Sequence, residues 1–98
     1  MKPSTDEILE RLRRVFPDDP IEVIDDSHHH IGHAGAAGGA GHFTVRIASA
    51  RFAGIRTVAR HRLVYDALLD WMPHRIHALA IDARVPGDAV AARPEGDA

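Results

Sequence analysis

The 98-residue chain contains no cysteine. That absence excludes disulfides, thiol catalysis and any self-contained all-thiolate zinc or iron–sulfur site. No apolar run approaches the roughly 18 to 20 residues needed to cross a bilayer. Residues 1–7 include no apolar stretch of the signal-peptide type, so the expectation is a cytoplasmic protein. A P-loop and a G-x-G-x-x-G unit are both missing. Ser4, Ser27 and Ser49 have no nucleophile context, and the adjacent pair Asp25 and Asp26 alternates in direction as strand-end residues do. The expectation is therefore a protein that is not an enzyme. Acidic side chains are absent from residue 27 to residue 65, a stretch that carries Arg46, Arg51, Arg56, Arg60 and Arg62. The middle is thus cationic and both ends acidic. The formal net charge of −2 supplies no global attraction to nucleic acid.

What the chain has in excess is histidine: eight residues, at 28, 29, 30, 33, 42, 61, 74 and 77. Imidazole is the commonest metal ligand in proteins and titrates near neutrality. Apolar residues make up 45% of the chain, enough for one core, and the length allows one domain.

The pattern along the chain predicts five elements. Ser4 and Glu7 have capping-box spacing. Ile8, Leu9, Leu12, Val15 and Phe16 then follow at helical period over about 5–16. Pro17-Asp18-Asp19-Pro20 stops this helix. A short strand is expected at Ile21-Glu22-Val23-Ile24, followed by a histidine-, glycine- and alanine-rich loop over 25–41. A loop of that length is uncommon in a compact domain unless it has a task. The clearest strand comes next, with Phe43, Val45 and Ile47 on one face and His42, Thr44 and Arg46 on the other. After a tight connection at 50–54, a second helix is expected over about 55–72. Val58, Tyr65, Leu68, Leu69 and Met72 form its apolar face, and Pro73 ends it. The last strand is expected over about 76–85, with Leu79, Ile81, Ala83 and Val85 on one face. Residues 1–85 are read as the domain and 86–98 as a disordered tail. The order α-β-β-α-β implies an α+β two-layer sandwich. Its three-stranded mixed sheet pairs the first two strands antiparallel and the last two parallel, with both helices on one face.

Four blocks in order carry a resemblance: Gly41-His42-Phe43-Thr44-Val45, Arg51-Phe52-Ala53-Gly54, Arg60-His61-Arg62-Leu63-Val64-Tyr65 and Ile76-His77-Ala78-Leu79. In this order and spacing the chain resembles the BolA family over about residues 4–85. The resemblance implies a class II KH-like fold. It also implies association with a monothiol glutaredoxin, with which family members hold a [2Fe–2S] cluster and take part in iron–sulfur assembly or iron sensing. Some bacterial members also regulate transcription and touch DNA. The family often ends in a short Trp-containing helix, which Pro86-Gly87-Asp88-Ala89-Val90 matches poorly.

The resemblance makes His77 a cluster ligand. From the residues alone, His77 shares parity with Leu79 and Ile81, so alternation also allows a core-facing, hydrogen-bonded histidine. His33 matches the family's variable loop ligand, with His28, His29 and His30 as neighbouring substitutes; a solvated loop histidine is the alternative. The remaining ligands would come from the glutaredoxin and glutathione, since this chain supplies no thiolate. Arg51, Arg56, Arg60 and Arg62 are candidates for binding phosphates, an acidic glutaredoxin surface or glutathione carboxylates; a solvated basic face is the alternative. His61, Tyr65 and Gly54 are read as structural, His42 as a structural residue on the far face of the sheet, and His74 as a turn residue. The chain alone is expected to be a monomer, with a homodimer as the alternative, and to carry no cofactor without its partner. A DNA- or RNA-binding regulator using the cationic helix is the competing function. Against it, Thr57 stands where a KH-type Gly-x-x-Gly clamp begun at Gly54 needs its second glycine.

Overall fold

The computed structural model describes residues 1–27 and 40–87. The expected loop histidines His28, His29, His30 and His33 lie outside the described residues, as does the expected tail beyond Gly87.

Helix α1 spans Thr5–Arg13 and opens with the capping box its sequence announces. The Glu7 N–H donates to Ser4 Oγ at 3.0 Å, and the Ser4 N–H donates to Glu7 Oε1 at 2.8 Å. Such a cap satisfies N–H groups that have no partner within the helix and is worth about 1 kcal/mol. The helix is shorter than its apolar stripe. Val15 and Phe16 lie in the turn after it, where Arg13 Nη1 donates to the carbonyls of Phe16 (3.2 Å) and Asp19 (2.5 Å).

Strand β1 (Ile21–Asp25) pairs antiparallel with β2 (Gly41–Ala48), and β2 pairs parallel with β3 (Ile76–Arg84), giving the sheet order β1-β2-β3. The parallel pair is joined through helix α2 (Thr57–Ala67), the crossover that a parallel connection requires. The expected single helix over 55–72 is divided: α2 ends at Ala67 and a short 3-10 turn, Leu69–Trp71, follows.

One face of the sheet carries Phe43, Val45 and Ile47, covered by Ile8, Leu12 and Phe16 from the first helix and its turn and by Val64 and Leu68 from the second. All three phenylalanines are buried, and Phe16 and Phe52 pack with ring centres 5.6 Å apart. Each such residue stabilises the fold by about 1.5–3 kcal/mol through burial. The expected apolar face of the second helix is only partly correct. Leu68 is fully buried, but Val58 is 73% exposed, Leu69 53% and Tyr65 38%. Val64, one turn before Leu68, takes the inward position instead. Tyr65, expected to be structural, therefore stands on the outer side of the helix.

The opposite face of the sheet is covered by neither helix. Across it, Glu22, Arg46 and Asp82 stand in one cross-strand row, and His42 and Ala78 pair near one end. Among the described residues, no helix is long and apolar enough to cross a membrane.

Candidate functional site

The two ends of the histidine-rich segment meet at one end of the sheet. The Asp26 N–H donates to the His42 carbonyl at 2.8 Å, and the His42 N–H donates to Ser27 Oγ at 3.1 Å. Ser27 is itself placed by its N–H, which donates to Asp25 Oδ1 at 2.8 Å, while Thr44 Oγ1 donates to Asp26 Oδ2 at 2.5 Å. Gly41 donates its N–H to the Arg75 carbonyl at 3.0 Å, tying the start of β2 to the start of β3. A sequence rich in small polar residues here gives the backbone side-chain partners where ladder pairing stops.

At this point the β2–β3 register slips. Gly41 pairs with Ile76, but His42 pairs with Ala78, so His77 is an extra residue on β3. A bulge of this kind re-aims the side chain it inserts. Ile76 keeps the core position, fully buried, and His77 is turned out to solvent. The alternation that placed His77 on the core side with Leu79 and Ile81 therefore fails: the irregularity breaks the period of two between 76 and 79.

The bulge also brings His77 against His42. Their ring centres are 5.1 Å apart with the planes tilted by 52°. His42 faces the side of the sheet that neither helix covers, as the strand pattern predicts, yet is only 9% exposed. An open depression of about 290 Å³ adjoins it, lined by Asp26, Ala78 and Ala80 among others. The pairing of these two histidines is the feature that sequence reasoning missed. Register across a parallel pair is not visible in either strand alone. Asp25, one residue before this cluster, is shifted well away from its usual value. Burial pushes its carboxyl up, but hydrogen bonds from Lys2 Nζ (2.8 Å) and from Ser27 outweigh this and hold it at about 2.

The four candidate arginines divide into two pairs. Arg51 Nη1 donates to the Val15 carbonyl at 2.6 Å, with its guanidinium over the Phe16 ring. Arg60 is half-buried and donates to the carbonyls of Ile55 (Nε, 2.7 Å) and Ala83 (Nη1, 3.2 Å). Arg56 and Arg62 are exposed, and their guanidinium groups have no hydrogen-bond or ion-pair partner among the described residues. His61 is half-buried on α2, His74 is exposed in the turn before β3, and Gly54 has a φ of +75°, a conformation that favours glycine.

The BolA family's sequence profile, described as BolA-like protein, matches residues 12–88. The chain belongs to the BolA family. SufE-like protein 1, chloroplastic/mitochondrial, of Arabidopsis thaliana is 42% identical over 86 residues; the match covers 83% of this chain but only 23% of that longer protein. A protein named DNA-binding transcriptional regulator BolA, from Vibrio cholerae, is 43% identical over 76 residues, covering 78% of this chain and 69% of the relative. Among solved structures, the BolA domain of SufE1 from Arabidopsis thaliana superposes with a TM-score of 0.73 at 38% identity, covering 88% of this chain and 95% of that one. The BolA-like fold here is thus the mixed α+β arrangement that the element order predicted.

The donor set of the described residues fits the group that the family resemblance implies. This BolA-like chain offers imidazole and no thiolate, and its exposed imidazole at a fixed strand position is His77. Iron in a [2Fe–2S] cluster accepts histidine in place of cysteine.

Proposed function

We propose that this BolA-family chain is an accessory protein of iron–sulfur assembly, trafficking or iron homeostasis. It pairs with a monothiol glutaredoxin and shares a [2Fe–2S] cluster with it and with glutathione. His77 supplies one imidazole and His33 a second, with His28, His29 and His30 as substitutes. The observation that carries the reading is the bulge, which turns His77 outward beside the ends of the histidine-rich segment. Within this chain the residues position rather than react. Asp26 and Ser27 hold the His42 backbone, and the Gly41 contact to Arg75 keeps the two strand starts together. The cluster, when bound, supplies electron transfer or a transferable iron–sulfur unit. Its potential depends on the ligands and their exposure.

Anaerobic reconstitution tests this. The chain is mixed with a monothiol glutaredoxin, glutathione, iron and sulfide, and absorption and circular dichroism are recorded. The expected outcome is a spectrum distinct from that of glutaredoxin alone, lost in His77→Ala, with loss in His33→Ala identifying the loop ligand. A spectrum identical to that of glutaredoxin alone would sink the ligand assignment. His77 is exposed, so its removal is expected to leave thermal stability essentially unchanged.

A second reading, a DNA-binding regulator, is favoured by the exposed Arg56 and Arg62 at the start of and along α2, and by the name of the Vibrio cholerae relative. Titration of duplex DNA across a salt series separates the two readings.

A further inference from the structure

The exposed apolar side chains of this chain are concentrated in one place. Among the described residues four large hydrophobic side chains are exposed, and three of them, Val58, Tyr65 and Leu69, come from α2 and the 3-10 turn that continues it. Single apolar residues scattered over a surface are ordinary, but a contiguous set marks a contact. With Arg62 these residues fall at spacings of four, three and four, the d-a-d-a spacing of a coiled-coil seam. On a helix of 3.6 residues per turn they lie within a stripe about 60° wide. The stripe is separate from the core face of α2, where Val64 and Leu68 are fully buried.

We propose that this stripe packs against the same stripe of a second copy of the chain, antiparallel, in a weak two-fold dimer. The order of side chains is self-complementary about a point midway between Leu63 and Val64. Val58 then meets the second copy's Leu69, and Arg62 meets the second copy's Tyr65. The two-fold repeats both contacts, as an isologous interface requires. A guanidinium in the middle of an apolar seam needs a partner, and this arrangement supplies two. The Tyr65 ring offers its face to the cation. Asp66, next in sequence, brings a carboxylate to within one residue's rise of the same level, about 1.5 Å. Arg62 and Asp66 are both exposed, and their side chains have no hydrogen-bond or ion-pair partner among the described residues. Each is therefore available to the other across the two-fold. Parallel pairing would set Arg62 against Arg62, so charge selects the antiparallel form. The 11 residues of α2 span about 16 Å, too little for an interface of the standard size of roughly 800 Å² per partner. The dimer is accordingly a weak, concentration-dependent one.

This inference does not rest on the glutaredoxin reading, whose ligands lie outside the stripe. Sedimentation of the full chain from about 10 μM to about 1 mM, the range of weak association, tests it without cluster or DNA. The expected result is a reversible monomer–dimer equilibrium. Val58→Glu, at a largely exposed position, should weaken it at least tenfold while leaving urea unfolding of the monomer unchanged. Arg62→Glu and Asp66→Arg should each weaken it as much, because each sets like charges across the two-fold. The double variant Arg62→Glu, Asp66→Arg should restore association to within about threefold of wild type. A chain that stays monomeric at every concentration would overturn the proposal, as would a dimer indifferent to Val58→Glu. Loss in both single charge variants without recovery in the double variant would overturn it too. α2 amide resonances that do not move with protein concentration, but shift when glutaredoxin or duplex DNA is added, would give the stripe to that partner instead. Cluster reconstitution is read separately, so its failure leaves the dimer standing, and a failed dimer leaves the cluster reading standing.

Discussion

Asp25 marks the end of β1 and is bridged to Lys2 near the start of the chain, Nζ to Oδ2 at 2.8 Å. Its carboxyl is held at about 2, below the ordinary value of 3.8, so folding favours the charged form. A carboxyl lowered in this way contributes stability that is complete above pH 4 and is lost as the pH falls toward 2. Lys2 is 44% exposed and Asp25 32%, so solvent screens the pair and the contribution is about 1 kcal/mol, less than the shift alone would suggest. Asp25→Asn should therefore unfold at lower urea concentration than wild type at pH 7, with the difference shrinking as the pH falls from 4 through 2. A difference as large at pH 2 as at pH 7 would mean that the Ser27 turn, not the charge, sets the effect. Gly41 makes a steric argument of the same size. A Cβ at that position would lie 2.5 Å from Phe43 Cε2 and 3.0 Å from Lys2 Cβ. The Phe43 ring is core and cannot swing away. Gly41→Ala should cost about 1–3 kcal/mol through overpacking, seen as a melting temperature lower by roughly 4–20 °C.

At the scale of elements, the strands were more legible than the second helix. β2 alternates cleanly, and its faces fall where the period of two puts them. Helix α2 has apolar side chains on more than one side, so the 3.6-residue period could not choose among Val58, Val64, Tyr65, Leu68 and Leu69. Packing chose Val64 and Leu68. Neighbouring leucines therefore make a sharp comparison. Leu68→Ala, at a fully buried site, should destabilise by about 2–5 kcal/mol. Leu69→Ala, at a site 53% exposed, should stay within about 0.5 kcal/mol of wild type. Chemical denaturation of both variants checks this, and equal losses would refute the assigned face. The candidate site was half legible for a related reason. His77 could be named from its sequence block, but its outward direction and its contact with His42 come from a register slip between two strands. Such a slip belongs to the pair, and no single-strand pattern contains it.

For the molecule as a whole, the acid-free stretch from 27 to 65 suggested a cationic surface broader than the one the fold presents. Two of its arginines are used internally: Arg51 on the turn after α1, and Arg60 across to β3. Arg46 faces Glu22 at 3.5 Å. Arg56 and Arg62 remain for an outside phosphate. Neutralising two phosphates releases about two counterions, so charge-driven binding to duplex DNA should show a slope of log K against log[salt] of about −2. With a net charge of −2 on the whole chain, affinity near physiological salt should be weak. Arg56→Ala and Arg62→Ala should each reduce the slope by about one, whereas Arg60→Ala should lower stability instead by freeing the carbonyls of Ile55 and Ala83. A measured slope far steeper than −2, retained in both variants, would show that DNA meets a different surface. It would also place the regulator reading above the cluster reading for this chain.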